Sequence, residues 1–344
     1  MRFAHRTLGQ RVVLDAGGAV ARIRAELDRL EPRAVMVIGG ERHSALLDAL
    51  AGRTALRWTE VAQHVPEPLA ERATGAAAQA DVDVVVAVGG GSAIGLAKAI
   101  ALHRPVRIVA VPTTYAGSEA TNVWGLTGPA GKRTGSADRV LPDVVVYDPD
   151  LVASMPRALA AASGLNAVAH CVDALWGPTA DPIDAALALE GLRALNDGLR
   201  SGNQARSQYG CYLAAVAFAS AGAGLHHKIC HVLGGRFDLP HAATHAVVLP
   251  YVVAFNAPAA PDAAARIADA VGSIDALTGL LDLRDELAAP RALRDIGLRA
   301  EDLPEAVEAV LPAVPADNPR PVDAAALTRL LRAAWAGDDP GALA

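Results

Sequence analysis

Residues 82–100 read VDVVVAVGGGSAIGLAKAI. An almost unbroken β-branched run, Val82 to Val88, gives way to three consecutive glycines, Gly89, Gly90 and Gly91, and then to a segment of helical composition. Such a run suits a strand covered on both faces, because neither side of it meets water. The glycines let backbone amides approach a ligand closely. Ser92 is a good N-cap for a helix expected over residues 93–102, whose positive end would face an anion such as a diphosphate. The spacing matches neither GxGxxG nor the P-loop, so by itself it specifies a strand, a turn and a helix with an anion-binding end.

The same texture extends to both sides. RVVL (11–14), AVMVI (34–38), residues 56–61, VRIVAV (106–111) and VVVY (144–147) read as further strands. Helices are expected through Leu30, from Ser44, and over residues 66–80. Strands alternating with helices imply a mostly parallel, doubly wound α/β sheet. Ligands bind at the carboxyl edge of such sheets. Gly39 and Gly40 lie there after the second strand, and Thr113, Thr114, Tyr115 and Ser118 lie there in VPTTYAGSEATNVWG (111–125). From Pro156 onward the period is helical. Pro250, Pro258, Pro261, Pro290, Pro304, Pro312 and Pro315 are expected to separate helices, with the last helix ending near Trp335 and a frayed tail after it. The expected domains are 1–153, α/β and nucleotide-binding, and 154–344, all-helical and catalytic.

Chemistry concentrates in GLHHKICHVLGGRFDLPHAATHA (224–246), which holds five of the ten histidines: His226, His227, His231, His241 and His245. His227 and His231, four apart, share one helix face. Gly234 and Gly235 are expected to end that helix, and Pro240 to open the next with His241 in its first turn. His170 lies upstream in GLNAVAHCVDALW (164–176). Imidazole titrates near neutral pH, which suits proton transfer or metal binding.

Composition narrows the alternatives. Hydrophobic residues make up 52% but aromatics only 4%, so the core is built from Ala, Val and Leu. Net charge is −6 without a basic run, which argues against a nucleic-acid partner. No apolar run reaches the length of a membrane span, and MRFAHRTLGQRVV lacks the core of a secretory signal. Cys171, Cys211 and Cys230 show no metal-knuckle spacing and fit a reducing cytoplasm. Of 31 basic residues only Lys98, Lys132 and Lys228 are lysines. In so arginine-rich a chain, a surviving lysine marks a place where a compact ammonium is wanted.

GGGSAIGLAKAI, VPTTYAGSEATNVWG, GKRTG (131–135), RVLPDVVVYDPDL (139–151), GLNAVAHCVDALW, GLHHKICHVLGG, LPHAATHAVVLP (239–250) and NPRPV (318–322) together resemble the iron-containing alcohol dehydrogenase family. The resemblance implies a nucleotide-binding α/β domain, a helical domain, and NAD(P)H as cofactor held by Gly39, Gly40, Gly89, Gly90, Gly91, Ser92, Thr113, Thr114, Ser118 and Lys132. In metal-dependent relatives one Asp and three His hold iron or zinc. Those positions fall here on Asn166, His170, His227 and His241. Gly95 stands where many relatives carry an acid. An amide oxygen offers a dipole where a carboxylate offers a charge, so no metal is expected. The subgroup resembled reduces maleylacetate, a small dicarboxylate with a double bond conjugated to a ketone. That implies His231, His241, His170, His227 and Tyr115 as donors or acids, and Lys228, Arg320 and Asn166 as substrate contacts. A homodimer is implied by the resemblance alone. The alternatives are a metal-dependent alcohol or polyol dehydrogenase of the same family, a dehydroquinate synthase-like lyase, and a non-catalytic nucleotide-binding module.

Overall fold

The computed structural model describes residues 3–129 and 131–344, with the side chain of Lys132 outside that description. The strands are β1 (Arg11–Leu14), β2 (Val35–Gly39), β3 (Leu56–Trp58), β4 (Val84–Gly89), β5 (Arg107–Pro112), β6 (Val123–Gly128), β7 (Gly131–Ser136) and β8 (Val144–Tyr147). The helices begin with α1 (Ala19–Leu30), α2 (Ser44–Ala49), α3 (Glu67–Gln79), α4 (Gly91–His103) and α5 (Pro149–Ala153). They continue as α6 (Arg157–Ala174), α7 (Pro182–Ser201), α8 (Gln204–Ala221), α9 (Leu225–Phe237) and α10 (His241–Asn256). The last are α11 (Pro261–Val271), α12 (Ala276–Glu286), α13 (Leu303–Val310) and α14 (Ala324–Ala336).

Two compact units result, one spanning Thr7–Met155 and the other Pro156–Ala344 together with the segment that ends at Arg6. In the first, six parallel strands lie in the order β1-β8-β5-β4-β2-β3. The valine run of β4 shows why they form. Val84, Val86 and Val88 pack on one face with Ile23 and Leu27 of α1 and Leu47 of α2. Val85 and Ala87 pack on the other with Ala73 of α3 and Ile94 and Ala97 of α4. Alternate residues point to opposite faces, and every β4 residue is buried. Each buried Val or Leu contributes roughly 1.5–3 kcal/mol, so a charge anywhere in this run would break the sheet.

The β6–β7 antiparallel hairpin went unanticipated. Its sequences, VWGLTG and GKRTGS, are polar and glycine-rich and show no clean alternation.

The second unit is helical throughout. Its few aromatics are offset by close helix approach: a Cβ on Gly198 of α7 would lie 2.6 Å from the Ser207 amide of α8. Three expectations fail here. α9 runs through Gly234 and Gly235 and stops at Asp238, which is left-handed at φ 51°. Burial of Leu225, Ile229 and Leu233 on its core face outweighs a glycine penalty of about 1 kcal/mol each. Pro250 lies inside α10, where burial on all sides holds the helix together despite the lost amide. The tail packs: Pro340–Leu343 form a short 3₁₀ turn, and Arg320 Nη1 donates to the Leu343 carbonyl at 2.8 Å. The stretch His241–Ala259 is long and apolar enough to cross a membrane, and 72% of it is buried as a core helix.

Candidate active site

In the first unit, the strand order reverses between β2 and β4, since β3 lies beyond β2 while β5 and β8 lie beyond β4. That switch point is where open parallel sheets bind ligands. Gly39 and Gly40 close β2 there, and Gly89–Gly91 close β4. Gly90, not Ser92, is the N-cap of α4, and it offers no side chain to the first amides. Ser92 sits one residue inside the helix with no hydrogen-bond partner among the described residues. Thr113 N–H donates to Gly89 O at 3.1 Å. A Cβ on Gly90 would lie 2.9 Å from Thr114 Cγ2 and 3.0 Å from its Oγ1. The glycine turn and the threonine loop thus form one surface, with uncapped amides at a helix N-terminus and a hydroxyl beside them. This fits a diphosphate. Ser118 opens the short turn Ser118–Ala120 at the far end of the loop, and Tyr115 is buried within it. Lys132 lies on β7 with its side chain outside the described atoms. Gly95 has a structural reason: a Cβ there would lie 2.9 Å from Val65 Cγ2.

In the second unit, three helices build a wall of six imidazoles, with the Phe218 ring of a fourth helix beside them. α6 carries Asn166, His170 and Asp173 on one face, α9 carries His227 and His231, and α10 carries His241 and His245. His170 stacks on His227 at 4.9 Å and 15° between ring planes, and on Phe218 of α8 at 4.7 Å. His227 meets His245 at 4.7 Å, His245 meets His241 at 4.5 Å, and His241 stacks on His231 at 6.0 Å. Behind them His226 Nε2 and His245 Nδ1 share a hydrogen bond of 2.8 Å. The structure therefore brings His170, His227, His231 and His241 together with Asn166 on one helix face of the group.

Asp173 organises this wall, and the sequence reading missed it. It is fully buried and accepts from the His227 amide at 3.1 Å and from His227 Nδ1–H at 2.7 Å. The amides of Gly224 and His226 donate to it as well. A Cβ on Gly224 would lie 2.6 Å from Asp173 Oδ1, so only glycine admits the carboxylate. Asp173 thus caps α9 from another helix and fixes the proton of His227 on Nδ1, turning the Nε2 lone pair the other way. The signal was an acid in an apolar helix, three residues after His170.

Burial sets the charge state. It lowers His170 and His226 to about 3 and holds His227 and His245 well below the ordinary range, with neighbouring imidazoles adding to the effect. It raises Asp173 to about 7 against the pull of its amide donors. His231 and His241 are the two half-buried rings of the group. Asn166 Oδ1, His170 Nδ1, His227 Nε2 and His245 Nε2 are buried with no hydrogen-bond partner among the described residues. Polar ligand atoms would satisfy such groups. Lys228, half-buried in the first turn of α9, has no ion pair among the described residues. Arg320 Nη1 donates to the Phe255 and Leu343 carbonyls, and the guanidinium lies 4.5 Å over the Phe255 ring.

Asn166, His170, His227 and His241 occupy the positions at which metal-dependent relatives would hold an ion. Asn166 offers an amide in place of a carboxylate, and His170, His227 and His241 are not among the groups whose donor atoms gather within 4.8 Å among the described residues. The buried group that does gather, His226, Cys230 and His245, uses one ring nitrogen of each histidine on the other, and burial raises the Cys230 thiol well above its ordinary value.

Residues 10–149 match the family described as iron-containing alcohol dehydrogenase, and residues 160–335 match the C-terminal part of the Fe-containing alcohol dehydrogenase family. The chain is 44% identical to maleylacetate reductase 2 of Cupriavidus pinatubonensis over 345 residues, 96% of each chain. Among solved structures it is similar to an iron-containing alcohol dehydrogenase of Corynebacterium glutamicum, with 52% identity, TM-score 0.97, and coverage of 100% and 99% of the two chains. It is also similar to the maleylacetate reductase of Agrobacterium tumefaciens, with 37% identity, TM-score 0.92, and coverage of 98% and 99%.

Proposed function

The chain belongs to the iron-containing alcohol dehydrogenase family, and from that premise we propose that it reduces maleylacetate to 3-oxoadipate with NADH or NADPH and without a metal. It is an oxidoreductase, and the observation that carries the finer reading is the imidazole wall with Asn166 at the acid position. It stands in a chain 44% and 37% identical, over 96% and 98% of its length, to two named maleylacetate reductases.

The chemistry suits the residues. A reduced nicotinamide, when bound, supplies a hydride to the alkene carbon β to the ketone. Negative charge then develops on the ketone oxygen, and the α carbon takes a proton. Because the conjugated system spreads the charge, hydrogen-bond donors suffice where a simple ketone needs a Lewis acid. Such preorganised donors are worth about 3–4 kcal/mol each. Four of the six rings are held neutral by burial, so the acid that protonates carbon falls to His231 or His241. His170 and His227 serve as neutral donors or acceptors, and Asp173 orients His227. Lys228 offers its ammonium to a substrate carboxylate. Gly39, Gly40, Gly89–Gly91, Ser92, Thr113, Thr114 and Ser118 would hold the dinucleotide. Tyr115 and Lys132 belong to the same unit as that site. The physiological unit proposed is a homodimer acting on a small dicarboxylate in the cytoplasm.

A second reading, a metal-dependent alcohol dehydrogenase, has in its favour the name of the 52% identical Corynebacterium structure. One experiment separates the two: oxidation of NADH and of NADPH with freshly generated maleylacetate, with and without EDTA. Turnover indifferent to chelator is expected. Activity that vanishes with EDTA and returns with iron or zinc overturns the metal-free mechanism, and turnover of simple alcohols but not maleylacetate overturns the substrate.

A further inference from the structure

Lys98 lies on α4, two turns beyond the glycine turn, and is 1% exposed. Its ammonium donates to the Thr121 carbonyl at 2.8 Å, to Thr121 Oγ1 at 3.1 Å and to the Val123 carbonyl at 2.8 Å. An ammonium has three N–H groups, and all three are used. Three oxygens converging on one buried point match a tetrahedral nitrogen. A planar guanidinium spreads its donors over a wider fork and would not fit, which accounts for a lysine in a chain that uses arginine almost everywhere else.

The segment it grips is held from two further sides. Glu119 is fully buried, and its Oε1 accepts from Tyr147 O–H of β8 at 2.8 Å. The Glu119 carbonyl accepts from Gln10 Nε2 at 2.8 Å, and the same amide nitrogen donates to Pro142 O at 2.8 Å. Burial lowers Lys98 to about 7, and the charge of Glu119 opposes that shift. Residues 118–123 are therefore locked to α4, to β8 and to the segment before β1. Immediately before them runs the Thr113–Ser118 loop, whose Thr114 side chain lies against Gly90.

We propose that Lys98 is a positioning residue for the dinucleotide: by fixing Thr121 and Val123 it sets the Thr113–Ser118 loop over the Gly89–Ser92 turn. This rests on the reading of that turn as the cofactor site. The three contacts are all to the loop's far anchor, so Lys98 acts through the loop and not by touching the ligand.

The test is NADH binding by the full chain, followed by the fluorescence of the bound nucleotide, with thermal unfolding measured in parallel. Lys98→Met should raise the NADH Kd by about tenfold or more, while kcat at saturating NADH and KM for maleylacetate stay within about threefold of wild type. Lys98→Arg should fail to restore the affinity. Thr121→Val removes one of the three acceptors and Tyr147→Phe removes one tether of Glu119. Each should weaken NADH by a smaller factor, and they carry the test if Lys98→Met does not fold. A folded Lys98→Met that loses thermal stability but binds NADH within about twofold of wild type overturns the proposal. Full rescue by arginine, or unchanged affinity in both milder variants, overturns it as well. Wild-type protein that binds neither NADH nor NADPH overturns the reading of the turn itself, and the proposal with it.

Discussion

Acidification should unfold this protein sooner than its carboxylates alone would cause. His170, His226, His227 and His245 are buried, and burial holds the first two at about 3 and the other two well below their ordinary value. In the unfolded chain each takes up a proton near about pH 6.5. Below that pH the unfolded state binds more protons than the folded state, so stability falls as pH falls. The stabilisation from these rings is complete above about 6.5 and drains away toward the folded values. Between about pH 7.5 and about pH 5.5 each ring costs between about 1 and 2 kcal/mol, or about 5 kcal/mol for the four. Asp173 works the other way. Burial raises it to about 7, so over the same descent the folded chain gains a proton that the unfolded carboxyl does not, returning about 2 kcal/mol. The expected net loss is about 3 kcal/mol. Urea unfolding of the cofactor-free protein at the two pH values, followed by circular dichroism, measures it. Equal or greater stability at the lower pH would refute the neutral-imidazole account, because it would mean that the rings already carry, or readily accept, protons inside the fold.

Three further outcomes are expected. His231→Ala or His241→Ala should lower turnover by roughly a hundredfold or more, the scale of a lost general acid, with NADH affinity unchanged, as both rings lie in the helical unit; near wild-type kcat in both would reduce them to packing. Lys228→Ala should weaken maleylacetate by about 2 kcal/mol, read as KM, whereas Arg320→Ala should lower the melting temperature through its lost contacts to Phe255 and Leu343; an unchanged KM in Lys228→Ala would place the carboxylate contact elsewhere. NADH and NADPH should both serve, with kcat/KM differing by less than about a hundredfold, because Gly39 and Gly40 end β2 without an acid and Glu41, Arg42 and Ser44 follow; a preference for NADH above about a thousandfold would point to a guarded ribose.

The sheet was legible because its signal is local. The valines of β4 must be buried on both faces, and that requirement appears in the residues themselves. The same holds for the spacing of His227 and His231, which a helix alone turns into a shared face. Elements whose cause lies elsewhere in the chain were not legible. The β6–β7 hairpin lacks alternation, and α9 continues through Gly234 and Gly235 because its opposite face is buried. Ser92 looked like the cap of α4, but the chain enters the helix one residue pair earlier, at Gly90, where Thr114 leaves no room for a Cβ. The contacts of Arg320 to Phe255 and Leu343 likewise join residues far apart in the sequence.

The site divides along the same line. Composition can gather imidazoles, and it can show an amide where relatives have a carboxylate. It cannot assign protons among them. That assignment depends on Asp173, which meets His227 from 54 residues away and at the same time supplies the cap that α9 lacks. One buried carboxylate therefore decides both where α9 begins and which nitrogen of His227 carries hydrogen. In the proposed mechanism the neighbouring rings are buried deeply enough to stay neutral, and carbon protonation is assigned to the two half-buried rings, His231 and His241. The division of labour in the wall follows from depth of burial more than from residue type, since all six rings are chemically the same.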